Sequence, residues 1–485
     1  MINKIFEPSQ RLLKEAFGND LYVVSGGAPF LDGRAVTIKN EHRYFKMSFT
    51  LTGDEVRKFH NIIPKTTIAD LVLSNTTGFS WKVPSSGILL REFKDEKIWP
   101  LALYCVYHIT KAQVDQMDDN HYWRLIMPLP VKNDFDFRDF VHYWFDTDIR
   151  HKEASLLKVM IQDKEFHFFY LRMDGGSFFG IDSVNKMRYK EFEEVVIAIQ
   201  TSYAFLTGSY YLDEAFYISS SAPTFQENLG VRYTSMRESI ISTYNIFTTN
   251  GSSVLAKLRE EQGMDWNDEI DEWIRILLEF NPKVFDELTK LFLENDALSR
   301  AAFIILEANN LALELKAAAY CVAYEAICHT LKDKLPIETS TVIEKENWKE
   351  NVKPFFEKGI SDLLEKGIID QEAHDILSKK INNLNQPTNK DALTAPFKHF
   401  NYSLKPYEEK AISDRNRFLH GSVPVKTNDM ELASQKLYFT AITIHKLAYI
   451  LILKLAGFEG YIINYAKLHE SMTQQVLEED GFVRI

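Results

Sequence analysis

The stretch DRNRFLHG, residues 414–421, decides how we interpret the C-terminal half of the chain. It follows a run with helical character and is followed closely by a proline, so it predicts the last turns of a helix that Gly421 ends. Residues four apart are neighbours on a helix, which places Asn416 and His420 on one face. The long side chain of Arg415 reaches the space beside the imidazole, so three groups suited to phosphate chemistry converge.

These three side chains match the needs of RNA cleavage without a metal ion. Histidine titrates near neutrality, so His420 can move the proton of a 2′-hydroxyl or of a leaving 5′-oxygen. The planar guanidinium of Arg415 fits phosphate oxygens and stabilises the charge of a pentavalent transition state. Asn416 can orient either neighbour or hold the sugar. We therefore take Arg415, Asn416 and His420 as candidate catalytic residues.

The same letters have a purely structural interpretation. Basic residues in a last turn, followed by glycine, are a common way to end any helix, because they satisfy free carbonyl groups and oppose the helix dipole. On this interpretation residues 414–421 form only a helix cap.

The rest of the C-terminal half predicts a helical bundle. Apolar residues recur every three or four positions from about residue 226 onward. The segment 298–331 predicts one long helix that is apolar nearly all round and therefore central, lying against the motif helix and against a partner subunit. An Asn-x-x-Glu capping signal at residues 428–431 starts the last long helix. The predicted helices cover residues 298–331, 346–365, 370–382, 404–420 and 428–455, with a loop at 382–396.

Glu325 is a carboxylate in an otherwise apolar helical segment. A buried acid is costly unless it is paired or protonated. Two interpretations remain. In the first, Glu325 lies at the helix boundary and contacts solvent or a backbone donor. In the second, it pairs with Arg415 and fixes the guanidinium.

The N-terminal half has the period-two pattern of strands. Residues 46–52 alternate, with three apolar side chains on one side, which is typical of a half-buried strand. A hairpin is expected across residues 162–164. Many short antiparallel strands favour a sandwich or a barrel-like domain. Further strands are predicted at residues 88–93, 101–109, 122–128, 156–161 and 165–172.

These patterns predict an α+β multidomain chain. We expect a β-rich N-terminal sensor or regulatory domain at residues 1–223, a helical linker subdomain at 224–296 and a helical bundle at 297–485. The aromatic residues of the β domain are expected in the sheet core, with a ligand-facing surface around Trp81, Trp99 or Trp123 as the alternative.

Composition and charge limit the function classes. The chain has 485 residues, of which 45% are hydrophobic and 13% aromatic, so it is globular. The net charge of −12 argues against broad, sequence-independent binding of nucleic acid. Three cysteines in apolar surroundings, no secretory signal and a last apolar run too short to cross a bilayer predict a cytoplasmic protein without a membrane span. Markers of nucleotide, dinucleotide and zinc sites do not occur, so no cofactor and no metal are expected.

The spacing from Arg415 and Asn416 to His420 resembles the R-N-x-x-x-H motif of HEPN ribonucleases. Together with the β-rich N-terminal half, the chain resembles the ApeA-like HEPN proteins of bacterial anti-phage abortive infection. The resemblance implies a toxin-like, metal-independent RNA endonuclease, with tRNA among the candidate substrates, working as a homodimer whose two motifs face each other. It also implies restraint until the N-terminal domain senses a phage product.

The resemblance further implies individual roles. Arg415, Asn416 and His420 would be catalytic, and Glu325 would orient Arg415. Arg417 departs from the residue usual in the family and would bind RNA. Two alternatives remain: a catalytically inactive HEPN-type dimerisation or binding module with a β domain that recognises a carbohydrate or protein, and a plain helical scaffold.

Overall fold

The computed structural model describes most of the chain as two compact units. The first comprises residues 1–299, 456–463 and 484, and the second comprises residues 300–455, 464–483 and 485. The structure describes residues 2–17, 21–27, 31–41, 43–50, 69–75, 80–90, 98–103, 105–109, 120–129, 154–173, 176–235, 237–242, 244, 282–337, 341–386, 388–419 and 429–485.

Fourteen of the described strands form one antiparallel sheet in the first unit, in the order β10-β11-β12-β9-β14-β15-β8-β5-β4-β1-β2-β3-β7-β6. The α+β fold class is confirmed, and the sheet forms a half-barrel. The strands are β1 Leu21–Gly26, β2 Ala35–Glu41, β3 Tyr44–Thr50, β4 Leu71–Ser74, β5 Ser80–Val83, β6 Ile88–Leu90, β7 Ile98–Leu103, β8 Cys105–Ile109, β9 Tyr122–Leu129, β10 Ala154–Ile161, β11 Lys164–Met173, β12 Gly176–Ser183, β13 Ser209–Tyr210, β14 Ala215–Ser220, β15 Asn228–Thr234, β16 Ile240–Ile241, β17 Tyr461–Ile463 and β18 Phe482–Arg484.

The alternation of polar and apolar residues places one face of β3 in the core. Phe45, Met47 and Phe49 are buried, whereas the residues between them are partly exposed. The predicted hairpin is confirmed, because β10 pairs with β11 and Ile161 lies opposite Lys164. Its two turn residues have φ of 49° and 63°, which matches the left-handed backbone that a two-residue hairpin loop requires.

The predicted strand at residues 101–109 is two strands. β7 pairs with β3 and β6, whereas β8 pairs with β15 and β5, so the two are not neighbours in the sheet. The apolar pattern is continuous across them because both strands are rich in β-forming residues, and such a pattern cannot show that the chain changes partners.

The sheet continues past the predicted domain boundary at residue 223. β15 pairs with β14 on one side and with β8 on the other. The described part of residues 224–296 therefore contains strands as well as a helix, which corrects the expected helical linker. That helix, Pro282–Glu294, packs on the sheet, since Asp286 accepts a 3.0 Å hydrogen bond from the backbone N–H of Met160 in β10.

Aromatic side chains fill the core of the first unit. Trp81 packs against Tyr22 and Phe45, and the indole N–H of Trp123 donates to the carbonyl of Met187 at 2.9 Å. Both tryptophans are fully buried, so a ligand-facing role for them is wrong. The side chain of Trp99 lies outside the described part.

A buried arginine ties the N-terminal helix Ile2–Phe17 to this sheet. Arg124 on β9 forms two 2.7 Å hydrogen bonds to Asp182. Its guanidinium lies between the rings of Phe6 and Phe225, at 4.2 and 4.0 Å from their centroids. The cation is thus paired and stacked, which offsets much of the cost of its burial.

The described helices are predominantly in the second unit. They are α1 Ile2–Phe17, α2 Tyr189–Thr207, α3 Pro282–Glu294, α4 Asp296–Ala308, α5 Leu313–Lys334, α6 Lys345–Asn347, α7 Lys353–Glu365, α8 Gln371–Asn383, α9 Asn389–His399, α10 Pro406–Leu419, α11 Met430–Leu455, α12 Tyr465–Leu468 and α13 Glu470–Thr473. A π-helical turn, Trp348–Val352, joins α6 to α7.

Two helix predictions need correction. The segment 298–331 is not one helix, because the chain breaks between α4 and α5 at the buried Asn309, whose side-chain oxygen accepts a 2.6 Å hydrogen bond from Tyr320. The segment 382–396 is not all loop, because Thr388 caps α9 by accepting from the backbone N–H of Asp391 at 3.1 Å.

The last long helix is confirmed as α11, but its described cap is Asp429. The carboxylate of Asp429 accepts from the backbone N–H groups of Glu431 and Leu432 at 3.0 and 3.1 Å. The predicted Asn428 cap lies outside the described residues. Among the described helices, α11 is the one long and apolar enough to cross a membrane, which corrects the expectation that the last apolar run is too short. Within the fold, 89% of its apolar window is buried, as in a core helix.

Candidate functional site

The predicted motif helix is present as α10. Glu408 and Glu409 lie in its first turn, where negative charge opposes the helix dipole. Its buried residues recur at helical spacing and define an inner face: Glu408, Ala411, Ile412, Arg415 and Phe418. Arg415 therefore points into the second unit and not into solvent.

Arg415 contacts Glu325 on α5, as one of the two interpretations of the sequence predicts. The Nε atom of Arg415 lies 2.8 Å from Oε1 of Glu325. Arg415 is 4% exposed, and the Glu325 side chain is 28% exposed. The N–H direction is poorly aligned with this oxygen, so the contact is a close ion pair more than a directed hydrogen bond. Nη1 of Arg415 also donates to the carbonyl of Ile412 at 3.4 Å.

The surroundings of this ion pair are apolar and keep nearby thiols protonated. Burial raises the pKa of Cys321 to about 12, with the Glu325 charge adding to the rise and Arg415 opposing it. Burial also raises the pKa of Cys328 to about 12. The Tyr324 hydroxyl donates to the carbonyl of Leu393 at 2.7 Å. These groups act as packing and as neutral hydrogen-bonding partners, because a thiol with such a pKa is a poor nucleophile at neutral pH.

The other predicted site residues divide by position. Arg417 lies on the outer face of α10, with its side chain 58% exposed and Nη1 3.8 Å from Asp414. Asn416 belongs to α10, but its side chain is outside the described part, and His420 lies outside the described residues altogether. The structure thus brings Arg415 and Glu325 together and separates both from Arg417.

A second buried charge cluster, not anticipated from the sequence, anchors the start of α10. Nζ of Lys446 on α11 lies 2.7 Å from Glu408, 2.6 Å from the hydroxyl of Tyr407 and 3.5 Å from Glu479. The side chains of Lys446 and Glu408 are 2% and 0% exposed. Asn464 donates to Glu479 at 2.9 Å. The cluster therefore links α10, α11 and the C-terminal segment.

Two tyrosines complete this cluster. The Tyr402 hydroxyl donates to Glu408 at 2.9 Å, and the Tyr407 hydroxyl donates to Glu479 at 2.5 Å. Burial, followed by the charge of Glu408, raises the pKa of both phenols, so both remain hydrogen-bond donors. A sequence signal for the cluster exists: Lys446 is a cation within a long apolar run, the same kind of signal that marks Glu325.

Within the described part of the chain, no group of three His, Cys, Asp or Glu side chains could hold a metal ion. Comparison with known proteins gives no further guidance, because no protein-family model, curated protein or solved structure matches this chain.

Proposed function

We propose that this protein is a metal-independent RNA endonuclease of the HEPN type, with Arg415, Asn416 and His420 as its catalytic residues. The observation that supports the proposal is the ion pair between Glu325 and Arg415 near the C-terminal end of α10. A carboxylate that holds Nε limits the rotation of the guanidinium, and a fixed arginine can stabilise a transition state without reorganising.

The proposed chemistry uses the 2′-hydroxyl of RNA as nucleophile. A base removes its proton, the 2′-oxygen attacks phosphorus, and the bond to the 5′-oxygen breaks as that oxygen gains a proton. His420 carries one of these proton transfers, and Asn416 orients its neighbours. Arg415 stabilises the charge on the phosphoryl oxygens. The products are a 2′,3′-cyclic phosphate and a 5′-hydroxyl end.

The exposed face of α5 supports a second copy near this site. It carries residues at alternating spacings of four and three, the pattern of a helix-pairing seam: Leu315, Ala319, Val322, Ala326 and His329. Leu315 and Val322 are large, apolar and exposed. Glu325 borders this stripe, so a homodimer formed there would bring two Arg415 side chains towards one substrate. Arg417, exposed on α10, is proposed to bind RNA.

We place the activity in cytoplasmic anti-phage defence. The half-barrel unit would restrain the nuclease until a phage-derived trigger binds it, and tRNA is a candidate substrate. The acidic net charge of −12 counts against a broad nucleic-acid-binding surface, so the proposed contact with RNA is local.

The near-complete burial of Arg415 favours a second candidate, a catalytically inactive HEPN-type module for dimerisation or binding. Arg124 is a second buried arginine paired with a carboxylate in this chain, and it lies in the core of the sheet unit. In that case Arg415 would fix α10 in place and never meet phosphate.

The two candidates are separated by an RNA cleavage assay in EDTA. We expect the wild-type protein to cleave total RNA or tRNA, and His420→Ala and Arg415→Ala to abolish cleavage. His399→Ala, at an exposed histidine at the end of α9, is the matched control and should remain active. Growth inhibition on expression should follow the same order. Equal behaviour of all four proteins in both assays would remove the nuclease proposal and leave the binding module.

A further inference from the structure

The helical hairpin of α7 and α8 stands out because it contributes little to the core of its own unit. None of the described residues of α7 is buried, and among those of α8 only Ile381 is. By contrast, α9 buries five of its residues although it is only eleven residues long. The hairpin is therefore held mainly by contact between its two helices.

The outer face of α7 is apolar in spite of this exposure. Phe355 is 76% exposed, and Ile368, in the turn that follows the helix, is 65% exposed. At about 100° per residue, Phe355, Phe356, Gly359 and Leu363 lie within one arc of the helix surface. The rings of Phe355 and Phe356 are 6.2 Å apart, so they form one continuous patch. Exposed apolar patches of this kind mark interaction surfaces.

Gly359 lies at the centre of this patch, and no described residue requires a glycine there. Outside the adjacent turns of its own helix, a Cβ atom at this position would meet no described atom within 4 Å. Glycine inside a helix costs about 1 kcal/mol relative to alanine. A glycine does allow another backbone to approach closely, which is useful where two helices cross.

The charges around the patch select a protein partner. Residues 353–383 contain five lysines and six acidic residues, so the hairpin is nearly neutral and unsuited to a polyanion or an anionic lipid surface. Lys358 and Asp362 lie on the same flank of α7. In an antiparallel pair of helices the same flanks face each other, so a twofold axis near Gly359 places Lys358 of each copy beside Asp362 of the other.

We propose that the α7–α8 hairpin is a self-association surface, at which α7 of one copy crosses α7 of a second copy at Gly359. This contact goes beyond the proposed nuclease dimer, because it uses a different face from the α5 stripe. Two different twofold contacts on one chain would build a tetramer or a longer chain of copies.

The first test is the molar mass of the full-length protein, measured by light scattering over a range of concentrations. Phe355→Ser combined with Leu363→Ser should lower the mass at least twofold and leave the variant folded, as circular dichroism would show, because both side chains are exposed. Val476→Ser, at an 88% exposed valine outside the hairpin, is the matched control and should keep the full mass. A wild-type protein that is monomeric at every concentration, or a double variant of unchanged mass, would overturn the proposal.

A charge exchange tests the symmetry itself. Lys358→Asp and Asp362→Lys should each weaken association by about tenfold, since each places like charges together at two symmetric positions. An equimolar mixture of the two variants should restore association. In a mixed dimer, the two acidic side chains of one variant face the two lysines of the other. A mixture that associates no better than its components would exclude the antiparallel pairing.

Gly359→Ala provides a variant with opposite effects on folding and assembly. The substitution should raise the melting temperature, because alanine favours the helix, and should weaken self-association, because its methyl group lies at the crossing point. Unchanged or stronger self-association would show that the helices do not cross at Gly359. These readouts do not depend on RNA cleavage, so failure of the nuclease proposal would leave them interpretable.

Discussion

Lys446→Met removes the ammonium group from the buried pair with Glu408 and keeps an unbranched side chain in its place. Nζ of Lys446 lies 2.7 Å from Glu408, and both side chains are almost completely buried. Without Lys446, the Glu408 carboxylate keeps the hydrogen bonds from Tyr402 and from the backbone N–H of Lys405 but loses its charge partner. Breaking one side of such a pair costs about 3–5 kcal/mol.

The double variant distinguishes an ion pair from simple packing, because the two interpretations predict different stabilities for it relative to Lys446→Met. Lys446→Met together with Glu408→Gln removes both charges, and replacing a buried pair as a whole is often nearly neutral in stability. We therefore expect the double variant to be more stable than Lys446→Met alone. The two single losses should not add, because the residues are in direct contact.

The assay is urea unfolding of the wild type, the two single variants and the double variant at neutral pH. A helical unit of about 180 residues should lose roughly 2–4 °C in melting temperature per kcal/mol, so thermal unfolding provides a second readout. A loss below about 1 kcal/mol for Lys446→Met, or additive losses in the double variant, would refute the reasoning. Either result would mean that water or another group replaces Lys446 beside Glu408.

Three further predictions concern single sites. Glu325→Gln should reduce kcat for RNA cleavage by about 10- to 100-fold, because the guanidinium of Arg415 is no longer held in position. The loss of stability should be only about 1–2 kcal/mol, because Glu325 is partly exposed. Steady-state kinetics and urea unfolding measure the two effects, and an unchanged kcat would show that Glu325 does not position Arg415 for catalysis. Burial raises the pKa of Asp286 from 3.8 to about 6, so the folded state holds this proton more tightly and stability should fall as pH rises from about 4 through 6; Asp286→Asn should flatten that dependence in urea titrations, and an identical pH profile would contradict the assignment. Cys321 and Cys328, with pKa values of about 12, should resist maleimide labelling at pH 7 until the protein unfolds, as peptide mass spectrometry would show, whereas rapid labelling of either of these two cysteines in the native protein would contradict their burial.

Sequence patterns predicted elements best where one face of the element is buried. The strand β3 and the β10–β11 hairpin follow directly from alternation and turn residues. The same patterns carry no information on which strands become neighbours, so the change of partner between β7 and β8 could not be predicted. The domain boundary could not be predicted either, because it depends on strand pairing between distant parts of the sequence. The pairing of β15 with β8 extends the sheet beyond residue 223.

Local hydrogen bonds explain the helix errors and part of the site. The predicted long helix breaks at Asn309, whose side chain accepts a hydrogen bond from Tyr320 in the next helix, and hydrophobic periodicity does not reveal such a contact. Thr388, three residues before Asp391, is an N-cap signal from which the start of α9 could have been predicted. A charged residue in an apolar helix pointed to the Glu325–Arg415 pair, and the same reasoning applied to Lys446 would have found the second cluster.

The central claim is that Arg415 and His420 together break a phosphodiester bond of RNA. The most direct test is the end-group chemistry of RNA cut by the purified full-length protein in EDTA. The account predicts 2′,3′-cyclic phosphate and 5′-hydroxyl ends, formed at a rate that falls by about 100-fold or more in Arg415→Ala and in His420→Ala. Cleavage that needs a divalent metal, or that proceeds equally in both variants, would contradict it.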